Sequence, residues 1–300
     1  MAYGLGHRPY FSIMNGDEIG AVEALARRLP PPPAGETWIG DDAAVLRPPG
    51  GVLLLAADTM VEGVHADLGV TTEADFGYKV LARNVSDIAA MGGRPLHAVV
   101  TVVVPPGRGA LLEPLYDGIG AAAEQYACPV VGGDLTSGPA LVVTVAITGT
   151  VDGEPVLRSG ARPGDTVFVT GPLGGAAADL RAGVAGRTAR PVARVAEGGA
   201  ARAAGATAMI DLSDGLALDL RRLAAASGVG VAVGDVPVAE GATVDDALTG
   251  GDDYELVFTA GDLDAVAAAF RGLRPPAAIG TVVASGEVRG LPEGGWRHRW

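Results

Sequence analysis

What this chain of 300 residues lacks narrows it first. Cys128 is its one cysteine, so no intrachain disulfide can form, and a reducing cytoplasm is the compartment to expect. Lys79 is its one lysine, and arginine carries nearly all the positive charge. Aromatic residues make up only 5% of the chain. No run of 18 or more apolar residues occurs, so no membrane span is expected, although abundant Ala and Val make the mean hydropathy positive. The opening "MAYGLGHRPYFSIMNGDEIG" has no basic start followed by an apolar stretch, so no secretory leader is expected. A surplus of positive charge is missing too. The formal net charge is −13, which speaks against nucleic acid or an anionic membrane as a partner unless metal ions stand between. Four His and one Cys without paired spacing argue against zinc. No Gly-x-x-x-x-Gly-Lys-Ser/Thr loop and no protein-kinase signature set is present.

What is there begins with Val-rich runs bounded by Gly, Pro or Asp. Strands are expected over 51–59, 95–105, 128–134, 140–151, 164–171, 228–236 and 253–260, and "AMID" (208–211) also starts like a buried strand. Helices are expected over 17–29, 73–91, 109–127, 175–184, 192–204, 215–227 and 262–271, with "PPPP" at 30–33 as a stiff connector. This spacing reads as α/β or α+β. A domain boundary is expected near 150–165, where "VDGEPVLRSGARPGD" breaks the pattern, giving domains 1–150 and 151–300.

Carboxylates recur at the ends of apolar strands: Asp41 and Asp42, Asp58, Asp134, Asp211 and Asp214, Asp252 and Asp253. Any one Asp beside Gly is ordinary turn or capping chemistry. Asp87, inside a helix, reads either as functional or as half of a solvent-facing pair with Arg83. Asp211 follows an apolar strand, and a buried carboxylate needs a cation or strong donors. Together these sites point to hard cations on oxygen ligands, magnesium above all, and so to phosphate chemistry. "GPLGGAAADL" (171–180) reads either as a phosphate cradle or as a plain tight turn. Lys79 is either a nucleotide contact or a helix-surface charge, and Asp219 is read as structural.

The motifs "IGDDAAVL", "DTMVEGVH", "YKVLARNVSDIAAMGGRP", "VVGGDLTSGP", "LRSGARPGD", "AMIDLSDGLALDL" and "GGDDYELVF", in this order, resemble those of the thiamine-monophosphate kinase family. "NVSDIAAMG" and "IDLSDG" are similar to a wider ATP-binding superfamily that includes aminoimidazole ribonucleotide synthetase, selenophosphate synthetase and a hydrogenase maturation factor. The resemblance implies a two-domain α/β (α+β) fold, with the N-terminal sheets of two subunits paired in a homodimer. It implies ATP and several magnesium ions at that interface, and transfer of phosphate to thiamine monophosphate. By the same resemblance Asp42, Asp58, Asp87, Asp134, Asp211 and Asp214 match metal ligands. Gly133, Asp134, Arg158 and Ser213 match ATP contacts, and His65, Asp252 and Trp296 match substrate contacts. Two positions depart from the family. Ala57 stands where a Thr metal ligand is usual, and Asp252 where a Glu is usual.

The chemistry fits these residues. The acceptor would be a phosphate monoester with a second pKa of about 6, mostly a dianion at pH 7, so no general base is required. The difficulty is bringing two polyanions together, which calls for metal ligands and Arg158 rather than a base. A related superfamily enzyme acting with ATP on another small phosphorylated or carboxylated substrate is the alternative. A regulatory nucleotide- or metal-binding module without turnover is the rival from another class.

Overall fold

The computed structural model describes residues 34–35, 44–46 and 51–297. The helix expected over 17–29, the proline connector, Asp41 and Asp42 lie outside them. Two sheets organise the rest. The first contains β1 (Ala44–Leu46), β2 (Leu53–Val61), β3 (Arg94–Val104), β4 (Val130–Ser137) and β5 (Val142–Thr150), in the order β1-β2-β5-β3-β4. All its pairs are antiparallel except β3 with β4. Alternation along β5, buried at Val143, Val145 and Ile147, gives the sheet one face for a core and one that no described residue covers.

Helices α1 (Glu73–Ala90) and α2 (Leu112–Gln125) fill the covered face. Thr72 starts α1 by accepting the Asp75 N–H, and Gly92, with φ +69, sits just past its end. The two helices touch backbone to backbone. A Cβ on Gly118 would lie 1.7 Å from the Ala74 carbonyl oxygen, and one on Gly77 would lie 2.0 Å from that of Leu115.

The second sheet contains β6 (Thr166–Val169), β7 (Ala208–Asp211), β8 (Gly230–Val233), β9 (Leu256–Ala260), β10 (Ala277–Val283) and β11 (Val288–Arg289), in the order β11-β8-β10-β6-β9-β7. The helices of this half are α3 (Gly175–Arg181), α4 (Gly186–Ala189), α5 (Val195–Ala203), α6 (Leu216–Ser227), α7 (Val244–Thr249) and α8 (Leu263–Ala269). Leu216, Leu220 and Leu223 of α6 pack on one face of the sheet. Stacked Phe168, Phe258 and Phe270 build the core on the other. With antiparallel pairing dominant in both sheets, the class is α+β within the mixed class expected. Among the described residues no helix is long and apolar enough to cross a membrane.

Helix α1 joins the halves. One side packs on β2, β5 and α2, and the other on α5 and β7. A Cβ on Gly198 of α5 would lie 2.1 Å from the Ala89 carbonyl oxygen, so that contact too is backbone to backbone. Charged residues Lys79, Arg83 and Asp87 sit at i, i+4 and i+8 of this mostly buried helix, on one stripe. That stripe faces the seam between the sheets, where the carboxylates gather.

Candidate active site

A cavity of about 340 Å³ opens at this seam. His65, Arg83, Ser213, Asp214, Asp252 and Trp296 stand in its wall. A smaller hollow of about 230 Å³ adjoins it and shares His65 and Asp252. Five residues expected at the ATP, metal or substrate sites are thus brought together from four separate stretches of chain: His65, Ser213, Asp214, Asp252 and Trp296.

Local structure aims each of them. After β2 the chain turns through Gly63, φ +80, and the Val61 N–H donates to Nδ1 of His65 at 3.0 Å. In the neutral ring this puts the proton on Nε2. The segment before β9 is strained, with Asp252 at φ +66 and Tyr254 at φ +49. It persists because its backbone is tied to the β7–α6 turn: the Asp252 N–H donates to the Ser213 carbonyl at 2.8 Å and the Tyr254 N–H to that of Leu212 at 3.0 Å. The Asp252 carboxylate accepts from Lys79 Nζ at 2.7 Å and from the Tyr254 hydroxyl at 3.0 Å. Lys79, nearly fully buried, also donates to the His65 carbonyl at 3.2 Å. One ammonium therefore ties the two polar substrate-contact candidates together.

The turn after β7 is built as firmly. Asp211 is buried and accepts from Ser86 Oγ at 2.7 Å. Gly215, φ +110, opens α6. Asp219, fully buried, accepts the N–H groups of Asp214 and Gly215 at 3.0 and 3.1 Å. Arg222 bridges Asp214 at 2.5 Å and Asp219 at 2.8 Å. The Trp296 N–H donates to the Asp214 carbonyl at 2.9 Å, which hangs the C-terminal tail over the cavity.

Behind the wall residue Arg83, Asp58 pairs with its Nη2 at 2.5 Å, while the Asp58 Oδ1 accepts from the Thr59 N–H at 2.7 Å. Asn84 braces the strand by accepting the Asp58 N–H at 2.9 Å. Burial works against the Arg83 charge, but Tyr254, Asp58, Asp252 and Asp87 outweigh it and hold the guanidinium above its ordinary pKa. Burial likewise drives the Tyr254 phenol well above its usual value, with Arg83 pulling the other way. Arg83 is thus turned inward to β2, not laid along the surface as the reading of a solvent-facing pair with Asp87 would have it.

Asp58, Asp87, Asp211, Gly133, Asp134 and Arg158 are expected residues that do not stand in this cavity's wall. Gly133 and Asp134 lie on β4 and line a shallow hollow with Tyr116 and Leu135. Asp134 pairs with Thr101 in the row that runs through Thr144 to Thr59, whereas Asp58 shares its row with Val145, Val100 and Gly133. Alternation puts Asp134 on the uncovered face and Asp58 on the helix-covered face, ~14 Å apart across three strand spacings. Arg158 precedes the second sheet, close enough for its charge to act on Arg222.

No three His, Cys, Asp or Glu side chains among the described residues stand close enough to hold a metal by themselves. The donor chemistry still fits magnesium. Asp58, Asp87, Asp211 and Asp214 and the hydroxyls of Ser86 and Ser213 are hard oxygen donors, and magnesium takes one or two carboxylates and completes its shell with water and phosphate oxygens.

Lys79 and Arg83 were not among the expected site residues. The signal was present in their spacing: a charged stripe on an otherwise apolar helix must face something polar.

Residues 40–151 match the family model described as AIR synthase related protein, N-terminal domain, so the first sheet and its helices carry that class of domain. A thiamine-monophosphate kinase of Salmonella typhimurium is 40% identical over 255 residues, covering 76% of this chain and 78% of the relative. One of Mycobacterium tuberculosis is 36% identical over 296 residues, covering 92% and 88%. A solved structure of AaThiL complexed with AMPPCP and TMP superposes with a TM-score of 0.84 at 29% identity, covering 94% of this chain and 97% of that one. The chain belongs to the thiamine-monophosphate kinase family.

Proposed function

We propose that this chain transfers the terminal phosphoryl group of ATP to thiamine monophosphate, in line, giving thiamine diphosphate and ADP. The observation that carries the proposal is the cavity in which His65, Ser213, Asp214, Asp252 and Trp296 converge. The AaThiL complex with the ATP analogue AMPPCP and with TMP supports the same pair of substrates.

The residues divide the work as follows. Nε2–H of His65 donates to an acceptor phosphate oxygen. Asp252, held by Lys79 and Tyr254, offers a carboxylate to the cationic thiazolium end, and Trp296 offers a ring face to the same cation. Ser213 and the Asp214 turn, fixed by Asp219, meet the transferring phosphate. Asp58, Asp87, Asp211 and Asp214, with Asp42, would hold magnesium, which supplies neutralisation of the charge shared by the two phosphates. No residue is assigned as a base, because the acceptor dianion needs none.

The same proposal takes the chain as a homodimer. Asp134, on the face turned from the cavity of its own chain, and its neighbour Gly133 would then serve the nucleotide across the interface with a second copy. The uncovered sheet face offers a dry contact: Leu55, Ala57 and Val99 are exposed on it and Val131 beside it. Residues 1–150 would supply ATP and metal ligands and the dimer contact, and 151–300 would complete the acceptor site.

Incubating purified protein with ATP, magnesium and thiamine monophosphate should yield thiamine diphosphate and ADP in equal amounts. Asp211→Asn should lower turnover on the order of a hundredfold with an unchanged near-UV circular dichroism spectrum. No thiamine diphosphate, together with ADP release on another small phosphate or carboxylate in a substrate panel, would replace this reading with the superfamily alternative.

A further inference from the structure

Arg83 is paired with Asp58, one of the candidate metal ligands. Arg83 Nη2 sits 2.5 Å from Oδ2 of Asp58, and the other oxygen of that carboxylate is taken by the Thr59 N–H at 2.7 Å. A cation reaching Asp58 therefore meets a carboxylate whose two oxygens both already accept, one of them from a buried positive charge. Arg83 keeps only 14% of its side chain exposed. Its Nε is buried and finds no acceptor among the described residues, so the guanidinium is under-partnered even with Asp58 in place. It also stands in the wall of the main cavity beside His65 and Ser213. A buried guanidinium that loses its carboxylate is strongly unfavourable and takes the nearest anion. Its planar fork suits phosphate oxygens.

From this geometry we infer that Arg83 is a tethered counter-ion of Asp58 that changes partner during binding: a divalent cation takes the carboxylate, and the released guanidinium takes the phosphate of the acceptor. Arg83 then couples the two ligands. Cation binding alone is opposed by Arg83, and a phosphate-bearing ligand removes the opposition, so each ligand tightens the other. The inference rests on the reading of Asp58 as a metal ligand.

The test is manganese binding, followed by electron paramagnetic resonance or calorimetry without ATP, on the wild type and on Arg83→Met, Arg83→Lys and Asp58→Asn. Arg83→Met should bind manganese at the Asp58 site roughly tenfold more tightly than the wild type. Arg83→Lys, which keeps the charge, should stay within a few-fold of the wild type. Thiamine monophosphate should tighten manganese binding in the wild type and leave it unchanged in Arg83→Met. Unchanged or weaker manganese binding in Arg83→Met, or ligand-induced tightening that survives there, would overturn the inference. Asp58→Asn separates the two levels. If it keeps wild-type manganese binding, Asp58 is no ligand and the underlying reading fails. If it loses that site while Arg83→Met stays like the wild type, only the role of Arg83 fails. Should Arg83→Met not fold, Arg83→Gln, which also removes the charge, carries the same expectation.

Discussion

Taking the ammonium from Lys79 would leave the Asp252 carboxylate with the Tyr254 hydroxyl as its side-chain donor and Arg83 as the remaining nearby cation. Lys79→Met should raise the KM for thiamine monophosphate at least tenfold while changing kcat less, because the loss falls on the positioning of Asp252 and the His65 loop; steady-state kinetics check the split. Unfolding free energy should drop by about 1–3 kcal/mol, below the range for a fully buried pair, since 27% of the Asp252 side chain is exposed. Asp253, next in the chain, behaves differently. Burial pushes its carboxyl up to about 6 although it accepts the Gly174 and Ala176 N–H groups. A raised folded-state pKa means the folded protein takes up a proton first. The stabilisation is complete below the ordinary value of 3.8 and is lost as pH rises through about 6. Relative to Asp253→Asn, the wild type should gain on the order of 1 kcal/mol between pH 7.5 and pH 5, read from denaturant titrations at both. At this scale the sequence made the strand-end carboxylates visible, because an Asp after an apolar run is conspicuous. It hid what they bond to. Lys79 and Asp252 are 173 residues apart, and no local pattern announces a partner at that distance.

The helix pair α1 and α2 depends on two glycines as well as on packed side chains such as Phe76, Leu115 and Ile119. Replacing Gly118 with Ala gains up to about 1 kcal/mol of helix propensity. It also drives a methyl to 1.7 Å from the Ala74 carbonyl oxygen, a contact no rotamer relieves. The clash wins: Gly118→Ala should destabilise by about 1–3 kcal/mol, measured by urea denaturation, whereas Gly120→Ala on the same helix, with open space at its Cβ, should be neutral or stabilising. Most elements of the described chain were legible, since Val-rich runs between Gly and Pro mark strands well. The expected 73–91 helix is observed as Glu73–Ala90. The exceptions are instructive. Strand β10 was not anticipated because it follows Pro275 and Pro276 and contains Gly280 at a register shift, so its pattern is broken where periodicity would be read. Helix α7 is six residues long, held by a capping box between Thr243 and Asp246, too short to show a period. Antiparallel pairing was equally hidden, because spacing tells where strands are and not which neighbours they take.

For the molecule as a whole, the face of the first sheet left uncovered by the described residues is where the proposed second copy would sit. Val99 is exposed at the middle of that face, in register with Ala146. On the proposed dimer, Val99→Arg should give a monomer in sedimentation velocity where the wild type gives a dimer, and remove activity with it, while the melting transition of the isolated fold persists. Asp134 makes the same point from the sequence side: its motif is readable, but its separation from Asp58 by the thickness of a sheet is a property of topology alone. Helix α1, holding both halves together with its charged stripe toward the seam, has one last consequence. The only side-chain amine in the protein is sealed there under Asp252 and the His65 loop. Amine-directed reagents and lysine-specific proteases therefore meet a native surface with no lysine to attack, and any modification at residue 79 records the moments when the two halves part.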